Sequence, residues 1–196
     1  EANPLPHLDR DTGPPLDDNH KPTSRRQPNA PGVHVYRGRR LREYGIRLVE
    51  KQKVKSHYSV LEKQFRKYME DAARLPGNTG EMLQQLLERR LDNAVRRAGL
   101  ARTIWAARQL VAHGHVIVNG RKTARPSFSV RVGDVITLKP GIHKLVRENM
   151  ESLPGHEVPG WLEFNPGEHT LRAVALPTSD QIPFDVNANL IVEFYR

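Results

Sequence analysis

The sequence contains no cysteine. That excludes disulfides, a thiolate nucleophile, and Cys-ligated zinc or iron–sulfur centres. Aromatic residues are scarce at 6%, so few rings are available to stack on nucleobases. No apolar run exceeds four residues, and neither a transmembrane helix nor a secretory apolar segment is expected. The phosphate-cradling, hydrolase and metalloprotease signatures GxGxxG, GxxxxGK[ST], GxSxG and HExxH are all missing. Nine histidines are scattered, and only His113 and His115 stand close, without a third metal ligand nearby. No metal, no cofactor and no membrane partner are therefore expected.

What is present is positive charge. In 196 residues, 31 Lys+Arg face 22 Asp+Glu, for a formal net charge of +9. The length suits one or two small cores and not a large multidomain enzyme. The charge is uneven: positions 37–66 carry net +7 and 89–125 net +8, whereas 151–196 carry net −5. Basic blocks of this kind suit a polyanion, and the acidic end suits a protein neighbour or plain solvation.

Seven of the 15 prolines fall in the first 36 residues, among few large apolar side chains. Such a stretch buries too little surface to offset its chain entropy, so residues 1–40 read as an extended arm. Apolar residues then recur at helical spacing (Val54, Tyr58, Leu61, Phe65, Tyr68, Ala72), predicting helices over about 41–51 and 56–73. A third helix is expected over 81–98, with Asn78 and Glu81 as its capping pair. At about 100° per residue, Leu83, Leu87, Leu91, Ala94, Val95 and Ala98 form one face. Arg89, Arg90, Asn93, Arg96 and Arg97 form another, and are expected to point outward together. Exchanging Arg96 and Arg97 for Glu should then weaken binding to a polyanion without unfolding the chain.

Thr103 offers an N-cap for a helix over 104–113 that Gly114 closes. Val116–Val118, the Asn119-Gly120 turn and 130–138 read as strands, 142–153 as a short helix, and 161–164, 171–176 and 190–195 as strands. The fold class is α+β. A mainly helical domain, 41–88 with 151–196, is interrupted over 89–150 by a small module of helix-turn-helix plus β-hairpin. Within that module the guanidinium groups and the start of the 104–113 helix suit phosphate. One Asp stands among nine cations over 89–125, where a merely soluble surface would intersperse both signs. With Trp105 the best placed of few rings, backbone and shape recognition of structured RNA is favoured over base-by-base reading.

The stretch Glu88 to Arg97, with Thr103, Ala107 to Val111, His113-Gly114-His115 and Val118 to Arg121, closely resembles the RNA-binding module of the small-subunit ribosomal protein S-four family. Leu41 to Gly45 running into Glu50 to Lys55, Leu61 to Arg66, Gly77 to Glu81, Pro159 to Glu163 and Asn189 to Glu193 are similar to that family's bacterial type over about 30–196. The resemblance implies a primary binder of small-subunit rRNA, without catalytic residues, that nucleates assembly of the subunit body in the cytoplasm (an organelle being open). Contact with ribosomal protein S-five and other small-subunit proteins, an influence on decoding accuracy near the mRNA entrance, and in some members repression of the chain's own message are also implied. Carried over by position, Arg37, Arg39, Arg40 and Arg42 fall where the family approaches mRNA and rRNA. Lys51, Lys53, Lys55, Arg66, Arg89, Arg90, Asn93, Arg96, Arg97, Arg102, Thr103, Arg108, Gln109, His113, Asn119 and Arg121 fall where it approaches rRNA. The acidic, Pro-rich start departs from the family's basic beginning, so zinc binding and RNA contacts before about residue 30 do not carry over. Two other readings share the module: a free RNA-binding regulator, or an RNA-modifying enzyme. Arg90-Leu91-Asp92 resembles the Arg-Leu-Asp of pseudouridine synthases, but the large catalytic sheet of those enzymes has no room here.

Overall fold

The computed structural model describes residues 42–153, 155–184 and 186–195. The expected arm, with Arg37, Arg39 and Arg40, lies outside the described residues. The basic stretch that follows forms α1, Glu43–Tyr58, a longer helix than expected. It ends where Ser59 turns into the left-handed region at φ +52° and the Val60 amide donates back to the Lys55 carbonyl. Next come α2 (Glu62–Arg74) and α3 (Thr79–Glu88). Asn78 caps α3, its Oδ1 accepting from the Gly80 amide at 2.9 Å.

The single helix expected over 81–98 is two. Arg90 is extended (φ −67°, ψ 139°), and α4 begins only at Leu91. The break comes from backbone partners far along the chain. Val130 donates to the Arg89 carbonyl at 2.8 Å, Leu91 to Phe128 at 2.9 Å and Asp92 to Pro126 at 3.2 Å. The strand-like segment 126–130 thus takes the hydrogen bonds that a continuous helix would have used. The apolar face read from the sequence is buried at each of its six positions, yet it serves two cores. Leu83 and Leu87 pack with Val54, Tyr58, Phe65, Met69 and Ile191, whereas Leu91, Ala94, Val95 and Ala98 pack with the sheet.

That second core is built by α4 (Leu91–Arg97), α5 (Ile104–Ala112) and an antiparallel sheet. Thr103 caps α5, its Oγ1 accepting from the Ala106 amide at 3.1 Å. Gly114 leaves α5 at φ +68°, and a Cβ there would meet the Lys122 side chain. Asn119 and Gly120 both have positive φ, which suits the tight turn between β1 (Val116–Val118) and β2 (Arg121–Lys122). After β3 (Val135–Leu138) and α6 (His143–Glu151), the chain adds β4 (Leu162–Asn165) and β5 (Thr170–Ala173). The order is β2-β1-β3-β5-β4, with Ile136 opposite Leu171.

Two expectations change here. Residues 162–173, grouped with the helical body on sequence, extend the module's sheet because Leu171, Ala173 and Leu162 close its core. Residues 190–195, read as a strand, belong instead to α7, Ala188–Tyr195. Ile191 and Tyr195, one turn apart, face the first core, and that packing overrides the β-propensity of Ile191-Val192. The architecture is mixed helix and antiparallel sheet, as the sequence indicates.

Because Leu87 and Ile191 are buried in the first core while Leu61 is 79% exposed, truncation to Ala separates them. Leu87→Ala and Ile191→Ala lower urea-unfolding stability by about 2–5 kcal/mol each. Leu61→Ala changes it by less than about 0.5 kcal/mol.

Candidate nucleic-acid interface

The residues read as one outward arginine face are mostly turned inward. The α3–α4 break places Asp92 at full burial. Its carboxylate accepts from Arg90 Nε at 3.0 Å and Nη2 at 2.6 Å, and from Arg108 Nε at 3.1 Å and Nη2 at 3.0 Å. Arg90 also donates to the Tyr68 hydroxyl at 2.8 Å. Arg108 reaches back to the α1–α2 turn, donating to the Ser59 carbonyl at 2.9 Å and the Tyr58 carbonyl at 3.2 Å. A carboxylate enclosed by two guanidinium groups has its lone pairs satisfied and is withheld from any substrate, so the Arg-Leu-Asp likeness carries no nucleophile.

A second buried cluster adjoins it. Tyr58 donates to Glu88 at 2.6 Å, Asn93 Nδ2 to the same carboxylate at 2.9 Å, and Arg97 Nε lies 3.5 Å from it. Burial first, and the neighbouring Glu88 charge next, push the Tyr58 hydroxyl well above its ordinary pKa. Arg97 donates to the Gln181 carbonyl, and Arg96 Nη1 meets His57 Nε2 at 3.0 Å. Burial, with the charges of Arg96 and Arg97 added, lowers the His57 pKa to about 3. The ring is therefore neutral and accepts from Arg96. Arg89 is half-buried and donates to the Val130 carbonyl at 2.9 Å.

Two lysines of α1 are likewise committed. Lys51 is buried and pairs with Glu62 at 3.2 Å, with its ammonium 4.1 Å from the Phe194 ring centroid. Lys55 meets the same carboxylate at 2.5 Å. Burial would raise the Glu62 carboxyl, but hydrogen bonds from Lys55, Tyr195 and Lys51 outweigh it and hold its pKa at about 2. Asn119 is taken up in its turn, donating to Asp134 at 2.8 Å and accepting from Val135 at 2.9 Å. Thr103 serves as a cap.

Of the sequence-predicted residues, Arg42, Lys53, Arg66, Arg102, Gln109, His113 and Arg121 remain exposed. On the module they lie along α5 and at the β1–β2 hairpin, where the Lys122 side chain packs over Gly114. Lys122, Arg125 and Arg131 are also exposed and were not singled out. The signal for them was available: no acidic residue occurs between Asp92 and Asp134. On α6, Lys144 and Arg147 are exposed too. The resulting surface offers flexible cations on a rigid frame, which suits phosphate contacts. Among the described residues, no group of three or more His, Asp or Glu is placed to hold a metal ion, and no helix is long and apolar enough to cross a membrane.

Comparison with known proteins gives a consistent result. Residues 10–88 match the family described as ribosomal protein S4/S9 N-terminal domain, and residues 89–136 match the S4 domain. The small ribosomal subunit protein uS4 of Cutibacterium acnes is 46% identical over 197 residues, covering 98% of this chain and 96% of that one. The uS4 proteins of Roseiflexus castenholzii and Desulforamulus reducens are 47% and 49% identical. Each alignment covers 87% of this chain, and 85% and 83% of the respective relative.

Removing Asp92 leaves two inward guanidinium groups unpaired, so Asp92→Ala costs about 3–5 kcal/mol in urea unfolding. Asp71, which meets Arg74 at 3.6 Å on the surface, gives less than about 1 kcal/mol on the same exchange. His57 sets a pH signature. Its folded pKa of about 3 lies below the ordinary 6.5, so its contribution is complete above pH 6.5 and fades as pH falls toward 3. The stability of His57→Gln, measured between those limits, falls less steeply than that of the native chain.

Proposed function

The chain belongs to the small-subunit ribosomal protein S4 family, and on that premise we propose how it works within the particle. It is a structural constituent of the small ribosomal subunit that binds small-subunit rRNA, located with that particle in the cytoplasm. The observation that carries the reading is the family match across both halves of the chain, joined to the acid-free, cation-bearing surface of 93–133.

On this reading rRNA contacts divide by exposure. Arg102, Gln109, His113 and Arg121 face RNA together with Lys122 and Arg125, and Arg42, Lys53 and Arg66 do so from the helical body. Arg90, Asn93, Arg96, Arg97, Arg108, Lys51 and Lys55 act indirectly, by holding that surface in shape. The two cores correspond to two parts of the protein, 42–88 with 179–195 and 91–173. The protein performs no chemistry. It neutralises phosphates from several rRNA segments and fixes their mutual geometry, thereby nucleating assembly of the subunit body. Contact with ribosomal protein S-five and an approach of the 37–42 basic residues to mRNA complete the proposal. A fixed frame reduces the ordering entropy lost on binding.

Fractionated ribosomes test the role: the protein co-sediments in stoichiometric amount with every small subunit, and a substoichiometric association overturns the reading. If about eight phosphates are engaged, log K falls against log salt with a slope of about −7. Arg121→Glu with Lys122→Glu weakens rRNA binding at unchanged melting temperature. Arg97→Glu sets a carboxylate beside buried Glu88 and lowers the melting temperature, against the expectation from the helical wheel.

A further inference from the structure

We propose that Trp105 is a stacking platform for one unpaired nucleobase of the bound RNA, an inference that rests on the RNA-binding role above. The sequence has two tryptophans. Trp161 is 1% exposed in the second core, whereas Trp105 is 66% exposed on the first turn of α5. An indole gains a great deal from burial, so so exposed a ring is unusual.

The ring is nevertheless held. The Arg108 guanidinium carbon lies 5.5 Å from its centroid, within cation–π range. That guanidinium is anchored on its other sides by Asp92 and by the Ser59 and Tyr58 carbonyls. A buried ion cluster therefore steadies an exposed aromatic ring before any ligand arrives, which reduces the ordering cost of stacking.

The surroundings select the occupant. A protein-docking aromatic sits amid other apolar side chains that exclude water. Here Ile104, Leu110 and Val111 are buried, and α5 exposes no other large apolar residue. Its exposed neighbours are Arg102, Thr103, Gln109, Ala112 and His113, with no acid between Asp92 and Asp134. A nucleotide offers both a base π-face for the indole and a backbone phosphodiester for Arg102, three residues back. Stacking of this kind accepts any base.

Tryptophan emission reads the event directly, with Trp161 as a constant background. The full chain is titrated with a single-stranded oligoadenylate and, separately, with a blunt, fully paired RNA duplex. Oligoadenylate quenches the emission and the duplex does not. Trp105→Leu removes the quench and weakens oligoadenylate binding roughly tenfold, with duplex affinity and melting temperature unchanged, while Trp105→Phe retains most of the affinity. Oligoadenylate binding with no quench, or undiminished in Trp105→Leu, overturns the platform and leaves the RNA-binding role intact. Absence of binding to either RNA overturns both. In assembled subunits a photo-cross-linker at position 105 reacts with rRNA, and reaction with protein alone overturns the platform in favour of a polypeptide contact.

Discussion

The fully buried carboxylate of Asp92, enclosed by Arg90 and Arg108, is the interaction on which the rest of the structure depends. Its backbone neighbours sit where the chain leaves α3 and enters α4, and so where the first core ends and the second begins. Through Arg90 it reaches Tyr68 of α2, and through Arg108 it reaches the α1–α2 turn. Glu88, one turn earlier, ties Tyr58 of α1 to Asn93 of α4 in the same region. Taking these charges out of water is costly, and only multiple short hydrogen bonds offset it. The two cores are joined by a seam of fixed geometry and not by loose chain.

That seam changes what the positive charge means. Net +9 describes the chain, but several of its cations are already answered by Asp92, Glu88, Glu62 or backbone carbonyls. A guanidinium pinned by a carboxylate and a carbonyl brings little to a phosphate, because it must lose those partners first. Among the described residues, the exposed cations Arg102, Arg121, Lys122, Arg125, Lys144 and Arg147 stand in no ion pair. On the proposed function, affinity for RNA arises from a layered arrangement: inward arginines set the shape, and outward arginines and lysines meet the polyanion. Arg108 belongs to both layers, since it stands behind the exposed Trp105 ring.

Much of this was legible in the residues. The periodic apolar positions of 54–98 are mostly the buried ones, Leu61 being exposed and Tyr68 half-buried, while Asn78 and Thr103 cap the helices that follow them, Gly114 ends α5, and Asn119-Gly120 makes the hairpin. These are local signals, written within a few residues of where they act. The errors share one origin. The 81–98 helix is broken by hydrogen bonds from 126–130, α7 is helical because Ile191 and Tyr195 meet a core assembled elsewhere, and 162–173 joins a sheet whose partner strand precedes it by some thirty residues.

Composition and short-range pattern thus determined the fold class, the helix caps, the hairpin and the attraction to a polyanion, because each follows from residue chemistry and spacing alone. Only the tertiary structure decided which arginines are exposed and which face Asp92 and Glu88. A helical wheel assumes that the side opposite the apolar face meets solvent. In this protein that side meets His57 of α1, Tyr68 of α2 and Gln181, and burial reverses the role of each charge it covers.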